Sequence, residues 1–202
     1  TAVNKASFEI NQGEFIAIMG ESGSGKSTLL SMLGTLNRPS SGQLIVNGFD
    51  VYGLSQDERA DFRRQSVGFV FQNFNLLPYL TLMENVMLPL ATLKVKKKEK
   101  QMMAYNALER VGLGAKVKRL PGQISGGEQE RVAIARAIVN KPPILLADEP
   151  TGNLDTKTGK LIMEFLRSLN EESITIVMVT HSMEYSHFAR RVLHMSDGML
   201  VQ

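Results

Sequence analysis

The sequence predicts an α/β fold with a mostly parallel sheet, an N-terminal antiparallel β part and an inserted helical subdomain. Short apolar runs alternate with amphipathic helical patterns at both ends of the chain, as is typical of parallel sheets covered by helices. Residues 73–123 show a mainly helical pattern. We therefore expect a single domain over residues 1–202, in which residues 1–72 and 124–202 form the α/β body and residues 73–123 the subdomain.

The elements before the insertion begin with an apolar run at residues 15–19, which predicts a first strand ending in glycine. Residues 28–36 predict a helix. Residues 43–46 predict a strand followed by a turn at Asn47 and Gly48. Residues 67–71 predict another buried strand, which ends where the insertion begins.

The inserted segment and the elements after it follow the same periodicities. Met103, Ala107 and Val111 share one face of a helix in the insertion. The last part of the chain predicts a strand at 144–147, a helix at 156–171, a strand at 174–179 and a hairpin at 191–202. In such sheets ligands bind at the carboxyl ends of the strands. The apolar side of the helix at 156–171 is predicted to hold Leu161, Ile162, Phe165, Leu166 and Leu169.

Composition and charge exclude several classes of protein. Hydrophobic residues make up 43% of the chain, which suits a packed core rather than disorder. The absence of cysteine excludes disulfides and cysteine-type zinc sites. No apolar run approaches the ~20 residues of a membrane helix, and no signal peptide is visible, so we expect any membrane role to need a partner.

One run of charge stands out against a mixed background with a net charge of +3. Residues 96–100 read Lys-Lys-Lys-Glu-Lys. This run fits the solvated start of a surface helix, and it also fits a patch that contacts anionic lipid or a partner. The sequence leaves both interpretations open.

A glycine-rich segment between the first strand and the first helix predicts a phosphate site. Its glycines let the backbone curl so that several N–H groups point inward, and the helix that follows adds its positive end. We expect Lys26 to reach the β- and γ-phosphates and the Ser27 hydroxyl to bind Mg²⁺. The predicted phosphate-binding residues are Gly20, Glu21, Ser22, Gly23, Ser24, Gly25, Lys26, Ser27 and Thr28.

Two acids follow the strand at 144–147. We expect Asp148 to hold Mg²⁺, through water, and Glu149 to face the attacking water as general base. An acidic turn before Pro150 would explain the same residues without any function. Beside a phosphate loop we favour the catalytic interpretation, because a metal-bound phosphate accounts for both carboxylates.

A short motif at residues 125–129, Ser-Gly-Gly-Glu-Gln, opens an apolar helix. Ser125 and Glu128 have the spacing of a capping box, which by itself indicates no function. Gly126 and Gly127 would let a phosphate approach bare N–H groups at the positive end of the helix. Both interpretations remain open at this point.

These motifs together resemble the ATP-binding subunits of ABC transporters. The resemblance rests on the phosphate loop, the signature-like motif at 125–129, the run Ala-Asp-Glu-Pro-Thr-Gly-Asn-Leu-Asp at 147–155, and Thr180-His181, in the family's order and over essentially the whole chain. It implies an ATP-hydrolysing enzyme that uses Mg²⁺.

The resemblance also implies roles for three further residues. Gln72 matches the glutamine loop that contacts Mg²⁺ and the attacking water, although a polar residue at a strand end needs no such role. His181 matches the histidine that contacts the γ-phosphate, and Asp155 the loop that crosses to a second subunit. In this family two copies pack head to tail around two ATP, so that Ser125, Gly126 and Gly127 of one copy complete the site of the other.

A narrower resemblance concerns the start of the insertion. Residues 71–78, 81–86 and 151–155 look like the lipoprotein-release and macrolide-export group (LolD and MacB type). This implies a transmembrane permease partner and a place on the cytoplasmic face of the cell membrane. A groove for the permease would suit the apolar residues of this segment, although they could equally be subdomain core: Leu76, Leu77, Tyr79 and Leu80.

Two other function classes compete with a transporter motor. A membrane-associated ABC ATPase of the cell-division type, which transmits force without moving a substrate, has a similar pattern. A soluble ABC protein acting on DNA or ribosomes would carry two ATP domains or a long coiled coil, and this chain also lacks a basic stripe interleaved with aromatics. We therefore expect no nucleic-acid partner.

Three positions depart from the family pattern. Ile124 stands where leucine is usual, and Glu128 places a negative charge near an expected anion site, which should weaken phosphate contact unless the side chain points away or serves the cap. The aromatic residue that stacks on adenine would precede Thr1, and we expect Phe8 to belong to the core instead.

Overall fold

The fold comprises a six-stranded sheet with helices on both faces, as seen in a computed structural model that describes residues 2–201. The strand order is β4-β5-β6-β1-β7-β8, and all neighbours are parallel except β7 and β8. The large sheet consists of β1 (Phe15–Met19), β4 (Val67–Val70), β5 (Ile144–Asp148), β6 (Thr175–Val179), β7 (Arg191–Ser196) and β8 (Met199–Val201).

A separate antiparallel pair forms the N-terminal β part. Strands β2 (Ile45–Val46) and β3 (Phe49–Asp50) meet at the predicted turn, where Asn47 and Gly48 both have positive φ. Strand β2 is two residues shorter than the predicted strand at 43–46. Residues 2–14 contribute no strand to either sheet, so the described antiparallel part of the N-terminal region is this hairpin.

Seven helices connect the strands within residues 2–201. They are α1 (Lys26–Leu33), α2 (Gln56–Ser66), α3 (Leu82–Met87), α4 (Lys97–Arg110), α5 (Gly126–Ile138), α6 (Thr156–Glu171) and α7 (Met183–Ser186). Short 3₁₀ turns lie at Val51–Gly53, Leu88–Leu90, Gly114–Lys116 and Pro121–Gln123.

The core has one cluster on each face of the large sheet, because alternate side chains of β1 point to opposite faces. Phe15 and Ala17 pack with α5 and α6, whereas Ile16 and Ile18 pack with α1. Phe8 is partly buried against the cluster on the α1 side of the sheet, so it belongs to the core as the sequence predicted. The phosphate-loop segment therefore leaves a strand that is buried on both sides.

A third cluster lies among α3, α4 and α5. Ala107 and Val111 of α4 belong to it, and Met103 packs against it. Helix α5 serves both bodies, since Val132 and Ala135 face this cluster while Ile134 and Ala137 face the sheet. The assignment of residues 73–123 to a separate subdomain stays a prediction. Helix α5 lies outside that range but packs against both the sheet and the cluster of α3 and α4.

Several predicted elements differ from the observed ones. Helix α1 begins at Lys26, two residues before the predicted start, and ends at Leu33 rather than residue 36. On α6, Leu161 is 53% exposed although it was assigned to the buried side, and Met163 takes the buried position instead. Helix α2 was not predicted at all, because none of its residues is buried and it carries no apolar stripe. Gln202, in the predicted hairpin, lies outside the described residues.

Candidate phosphate and metal site

The phosphate loop connects β1 to α1 and closes around a lysine. Lys26 is only 7% exposed, and its ammonium donates to the carbonyls of Gly20 (2.8 Å) and Glu21 (2.7 Å). Gly25, the residue before α1, has a φ of 101° and lies so close to the carbonyl of Ala2 that no Cβ would fit. A positive charge is therefore held inside the loop, at the end of a helix whose first N–H groups lack intrahelical partners.

A hydroxyl and a carboxylate meet beside this loop. Ser27 in the first turn of α1 donates to Asp148 Oδ1 at the end of β5, over 3.0 Å. Burial raises the pKa of Asp148, and the contacts with Ser27 and Lys26 oppose that shift. Mg²⁺ prefers such hard oxygen donors and commonly adds substrate phosphates and water to one or two of them. The donor set therefore fits the predicted Mg²⁺ site.

The second acid, Glu149, is paired with the predicted histidine. Glu149 Oε2 lies 2.5 Å from His181 Nδ1, and the glutamate side chain is 13% exposed while the histidine is 67% exposed. Strands β5 and β6 are parallel neighbours, so both residues lie at the carboxyl edge of the sheet. Glu149 has a φ of 50°, which is uncommon for a side chain of this size and indicates a position fixed by its surroundings.

Gln72 lies at the same edge, just beyond β4. Its side chain is exposed, and its backbone carbonyl accepts a hydrogen bond from Asn153 Nδ2 (2.9 Å). Asn153 belongs to the loop that runs from Glu149 to Asp155. The sequence had assigned no role to Asn153, and only the fold shows that it joins the loop after Gln72 to the loop after the two acids.

The start of α5 contains the capping box that the sequence indicated. Glu128 N–H donates to Ser125 Oγ (3.3 Å), and Ser125 N–H donates to Glu128 Oε2 (3.0 Å). Lys116 also pairs with Glu128 at 2.5 Å, and this contact is the main cause that lowers the pKa of Glu128. The glutamate therefore serves the cap and is neutralised by a lysine, which removes the expected conflict with an anion nearby.

Gly126 and Gly127 have different surroundings. A Cβ on Gly126 would meet nothing closer than 4.0 Å, whereas a Cβ on Gly127 would collide with the methyl group of Thr158. Thr158 in turn donates to Asp155 through its N–H (3.0 Å) and its hydroxyl (2.6 Å), so Asp155 caps α6. Gly126 is exposed, which leaves the N–H groups at the tip of α5 accessible to a ligand.

The predicted site residues thus fall into two groups within one chain. The residues around the phosphate loop are linked by the Ser27–Asp148 and Glu149–His181 contacts. The residues at the tip of α5 are linked to Asp155 through Thr158 instead. The described contacts of residues 2–201 contain no hydrogen bond or ion pair between Ser125 or Gly126 and residues 20–28.

A large cleft opens elsewhere, between α2, β4, α5 and the segment after α3. It has a volume of about 910 Å³. Arg136 of α5 lines it and also donates to the carbonyls of Phe74 (2.6 Å) and Asn75 (2.5 Å), in the loop after Gln72. Its lining also includes the apolar residues Val67, Phe69, Phe71, Pro89 and Leu93 and the charged residues Asp61, Arg63, Arg64 and Lys94.

The apolar residues expected to form a partner groove lie outside this cleft's lining. Leu76 packs against the cluster of α3, α4 and α5, so for this residue the core interpretation is the observed one. Tyr79 is 73% exposed, and Leu77 and Leu80 are half-buried. No helix within residues 2–201 combines the length and the apolar character needed to cross a membrane.

A phosphate loop between a buried strand and a helix, together with a strand that ends in acids at the same edge of the sheet, defines a nucleotide-binding protein of the P-loop class. Residues 3–152 match the family model described as ABC transporter. The chain belongs to the ABC transporter ATP-binding family.

The relatives agree with this family. The chain is 46% identical to an uncharacterized ABC transporter ATP-binding protein of Methanocaldococcus jannaschii, covering 100% of this chain and 90% of that protein. It is 50% identical to the macrolide export ATP-binding/permease protein MacB of Rhodopirellula baltica, over 96% of this chain but 29% of that longer protein.

Solved structures resemble the chain closely. The dimeric structure of MJ0796, a protein of Methanocaldococcus jannaschii, superposes with a TM-score of 0.92 at 44% identity and covers 100% of this chain and 89% of that one. A post-hydrolysis dimer of the same cassette, bound to ADP and Pi, gives a TM-score of 0.91 at 43% identity. The fold predicted from the sequence is confirmed, and dimers are the state of these related structures.

Proposed function

We propose that two copies of this chain pack head to tail around two Mg²⁺–ATP, hydrolyse them and thereby drive a membrane partner. The observation that carries the proposal is the separation of the site residues into two groups within one chain. The phosphate loop has a lysine, a Mg²⁺ donor pair and a carboxylate base, while the tip of α5 is exposed and makes no hydrogen bond or ion pair with it among the described residues. The dimeric relative structures support a second copy as the source of the missing contact.

The chemistry needs no covalent intermediate. Glu149 would take a proton from the attacking water, whose oxygen forms a bond to the γ-phosphorus as the bond to the ADP oxygen breaks. His181 holds the Glu149 carboxylate in place through the 2.5 Å contact and would also touch the γ-phosphate. Lys26 and the N-terminus of α1 stabilise the charge that develops on the phosphate oxygens. Ser27 and Asp148, together with Gln72, would hold Mg²⁺, which when bound would supply positive charge to the phosphates.

The test is the variant Glu149→Gln. We expect it to bind ATP as the wild type does, to lose turnover by about 10²- to 10⁴-fold because the base is gone, and to form an ATP-dependent dimer. Hydrolysis assays and a sizing column with and without ATP measure both properties. Glu164→Gln, on the exposed side of α6, serves as a control with the same charge change. Near-normal hydrolysis by Glu149→Gln would refute the assignment of the base.

The membrane partner is proposed from the relatives and from the cleft. MacB of Rhodopirellula baltica is described as an ATP-binding/permease protein, and 29% of its length matches 96% of this chain. We assign a helical segment of a separate permease to the cleft, because apolar side chains form its walls and four basic side chains line it against one acid. The chain would then work at the cytoplasmic face of the membrane, in export or in lipoprotein release.

The second candidate function, a cell-division type ATPase that moves no substrate, shares the same site. The resemblance to MacB favours the transporter. Purification of the native complex and identification of the membrane protein that accompanies this chain distinguish the two. A permease of the lipoprotein-release or macrolide-export type supports our choice, and a cell-division partner contradicts it.

A further inference from the structure

Five lysines within seven residues form a basic surface before and at the start of α4. They are Lys94, Lys96, Lys97, Lys98 and Lys100, here named the lysine cluster. The first four are exposed, and only Glu99 interrupts the run with a negative charge. The cluster therefore presents several mobile ammonium groups to whatever lies in front of it.

No lysine of the cluster forms an ion pair within the described residues 2–201. The ion pairs within residues 2–201 all involve other basic residues. Glu84, which lies near enough for Lys97 to contribute to its lowered pKa, is already engaged by the N–H (2.8 Å) and hydroxyl (2.7 Å) of Thr81. The positive charge is thus available to an external anion.

The cluster stands at the rim of the cleft that we assign to the permease. Lys94 lines that cleft next to Leu93. Lys100 donates from its ammonium to the carbonyl of Ala91 (2.9 Å), which fastens the first turn of α4 to the segment forming the cleft wall. A membrane protein seated in the cleft would therefore bring its bilayer to the side of the molecule that carries the lysines.

Two exposed apolar or aromatic side chains lie next to the cluster on α4. Lys98, Met102 and Tyr105 are spaced by four and three residues on α4, which places them on one face of the helix. Met102 is 56% exposed, and Tyr105 is also exposed. Lysines beside exposed apolar and tyrosine side chains are typical of surfaces that lie against lipid headgroups.

We propose that the lysine cluster binds the anionic headgroups of the membrane in which the permease partner sits. The proposal rests on the proposed function only for the side of the molecule that faces the bilayer. Basic residues close to an anionic membrane surface are attracted within about one Debye length, so the contact should weaken with salt. It would hold the chain near the membrane also between cycles of the motor.

The test is flotation of the purified chain with phosphatidylcholine vesicles, with and without phosphatidylglycerol. The variant Lys96→Gln/Lys97→Gln/Lys98→Gln is compared with Lys118→Gln/Lys157→Gln/Lys160→Gln, which removes three other exposed lysines. Both variants lower the net charge from +3 to zero, so they differ only in where the charge is lost. We expect the first to reduce partitioning onto phosphatidylglycerol vesicles on the order of tenfold or more and the second to change it little.

Three outcomes would overturn the proposal. These are no binding of the wild type to phosphatidylglycerol vesicles, equal losses in the two variants, or equal binding to vesicles without phosphatidylglycerol. Unfolding temperatures of both variants check that the fold is intact, as expected for exposed side chains. The assay contains no ATP, so a failure here is separate from a failure of the hydrolysis experiment with Glu149→Gln.

Discussion

At the scale of single residues, Glu130 is a carboxyl group inside helix α5. It is 1% exposed, and its Oε1 has no hydrogen-bond partner among the described residues. Burial raises the pKa of Glu130 to about 8, although the nearby Arg136 acts in the opposite direction. A buried acceptor without a partner costs free energy, so this residue lowers the stability of the fold wherever it is ionised.

We predict that Glu130 makes stability fall as pH rises. Its pKa in the folded chain lies above its unfolded value, so the folded chain binds the proton more tightly, and stability is lost between about pH 5 and about pH 8. Glu130→Gln should flatten this part of the profile and add on the order of 2 kcal/mol near pH 8. Urea unfolding across this range measures the effect. Glu164→Gln, which is exposed, should keep the wild-type slope, and an unchanged slope in Glu130→Gln would contradict the prediction.

At the scale of elements, the tip of α5 packs against α6 through one glycine. A Cβ on Gly127 would collide with the methyl group of Thr158, whereas a Cβ on Gly126 would have open space. Thr158 also completes the cap of α6 at Asp155. The two adjacent glycines therefore have different surroundings: Gly127 is required for packing between the helices, and Gly126 is not.

We predict opposite effects for the two alanine substitutions. Gly127→Ala should lower the free energy of unfolding by about 1–3 kcal/mol through overpacking. Gly126→Ala should leave it unchanged or raise it by up to about 1 kcal/mol, since alanine favours helix. Denaturant unfolding compares them. Thr158→Ser removes the obstructing methyl and keeps the hydroxyl, so it should restore much of the stability of Gly127→Ala. Equal effects of the two alanines would rule out this packing account.

The elements also show what the sequence could and could not predict. Strand β1 and helix α6 have the predicted bounds, because a wholly apolar run and a strong helical periodicity are local signals. Helix α2 has no buried residue and is marked only by its capping box at Ser55 and Glu58, so periodicity missed it. Local signals fix elements whose apolar residues form a strong continuous or periodic pattern, and they say little about helices that lie on the surface without one.

The candidate site likewise has features that the sequence could predict and features that it could not. The glycines and lysine of the phosphate loop form a contiguous motif that the sequence displays directly. Glu149 and His181 were each assigned a role from the sequence, but their contact was not predicted, because it depends on the neighbouring positions of β5 and β6. The Lys116–Glu128 pair, the hydrogen bond from Asn153 to Gln72 and the cleft each join separate elements of the chain. Such contacts depend on how the elements are placed in space, which the sequence pattern alone does not specify.

At the scale of the whole molecule, the proposed dimer places Ser125 of one copy against the nucleotide of the other. We predict that Ser125→Arg abolishes hydrolysis, by at least about a hundredfold, without weakening nucleotide binding by the monomer. The added side chain would occupy the space of the phosphate, while the phosphate loop of the same copy remains intact. Hydrolysis rates and nucleotide titrations measure the two properties.

The control for this variant is Ser40→Arg, which adds the same side chain at an exposed position outside the site. It should hydrolyse ATP as the wild type does. Retained turnover in Ser125→Arg would exclude the shared site, and a loss of monomer binding would show that Ser125 acts within its own chain.

Arg136 of α5 connects three parts of the proposed transporter motor. Its guanidinium borders the cleft, is carried by the helix whose tip we expect to touch the neighbouring ATP, and clasps the backbone two and three residues beyond Gln72. In the proposed dimer, a permease segment seated in the cleft, the helix α5 and the loop after Gln72 would therefore all contact or carry one side chain. Under the proposed function, a displacement of any one of the three would be passed to the other two through Arg136.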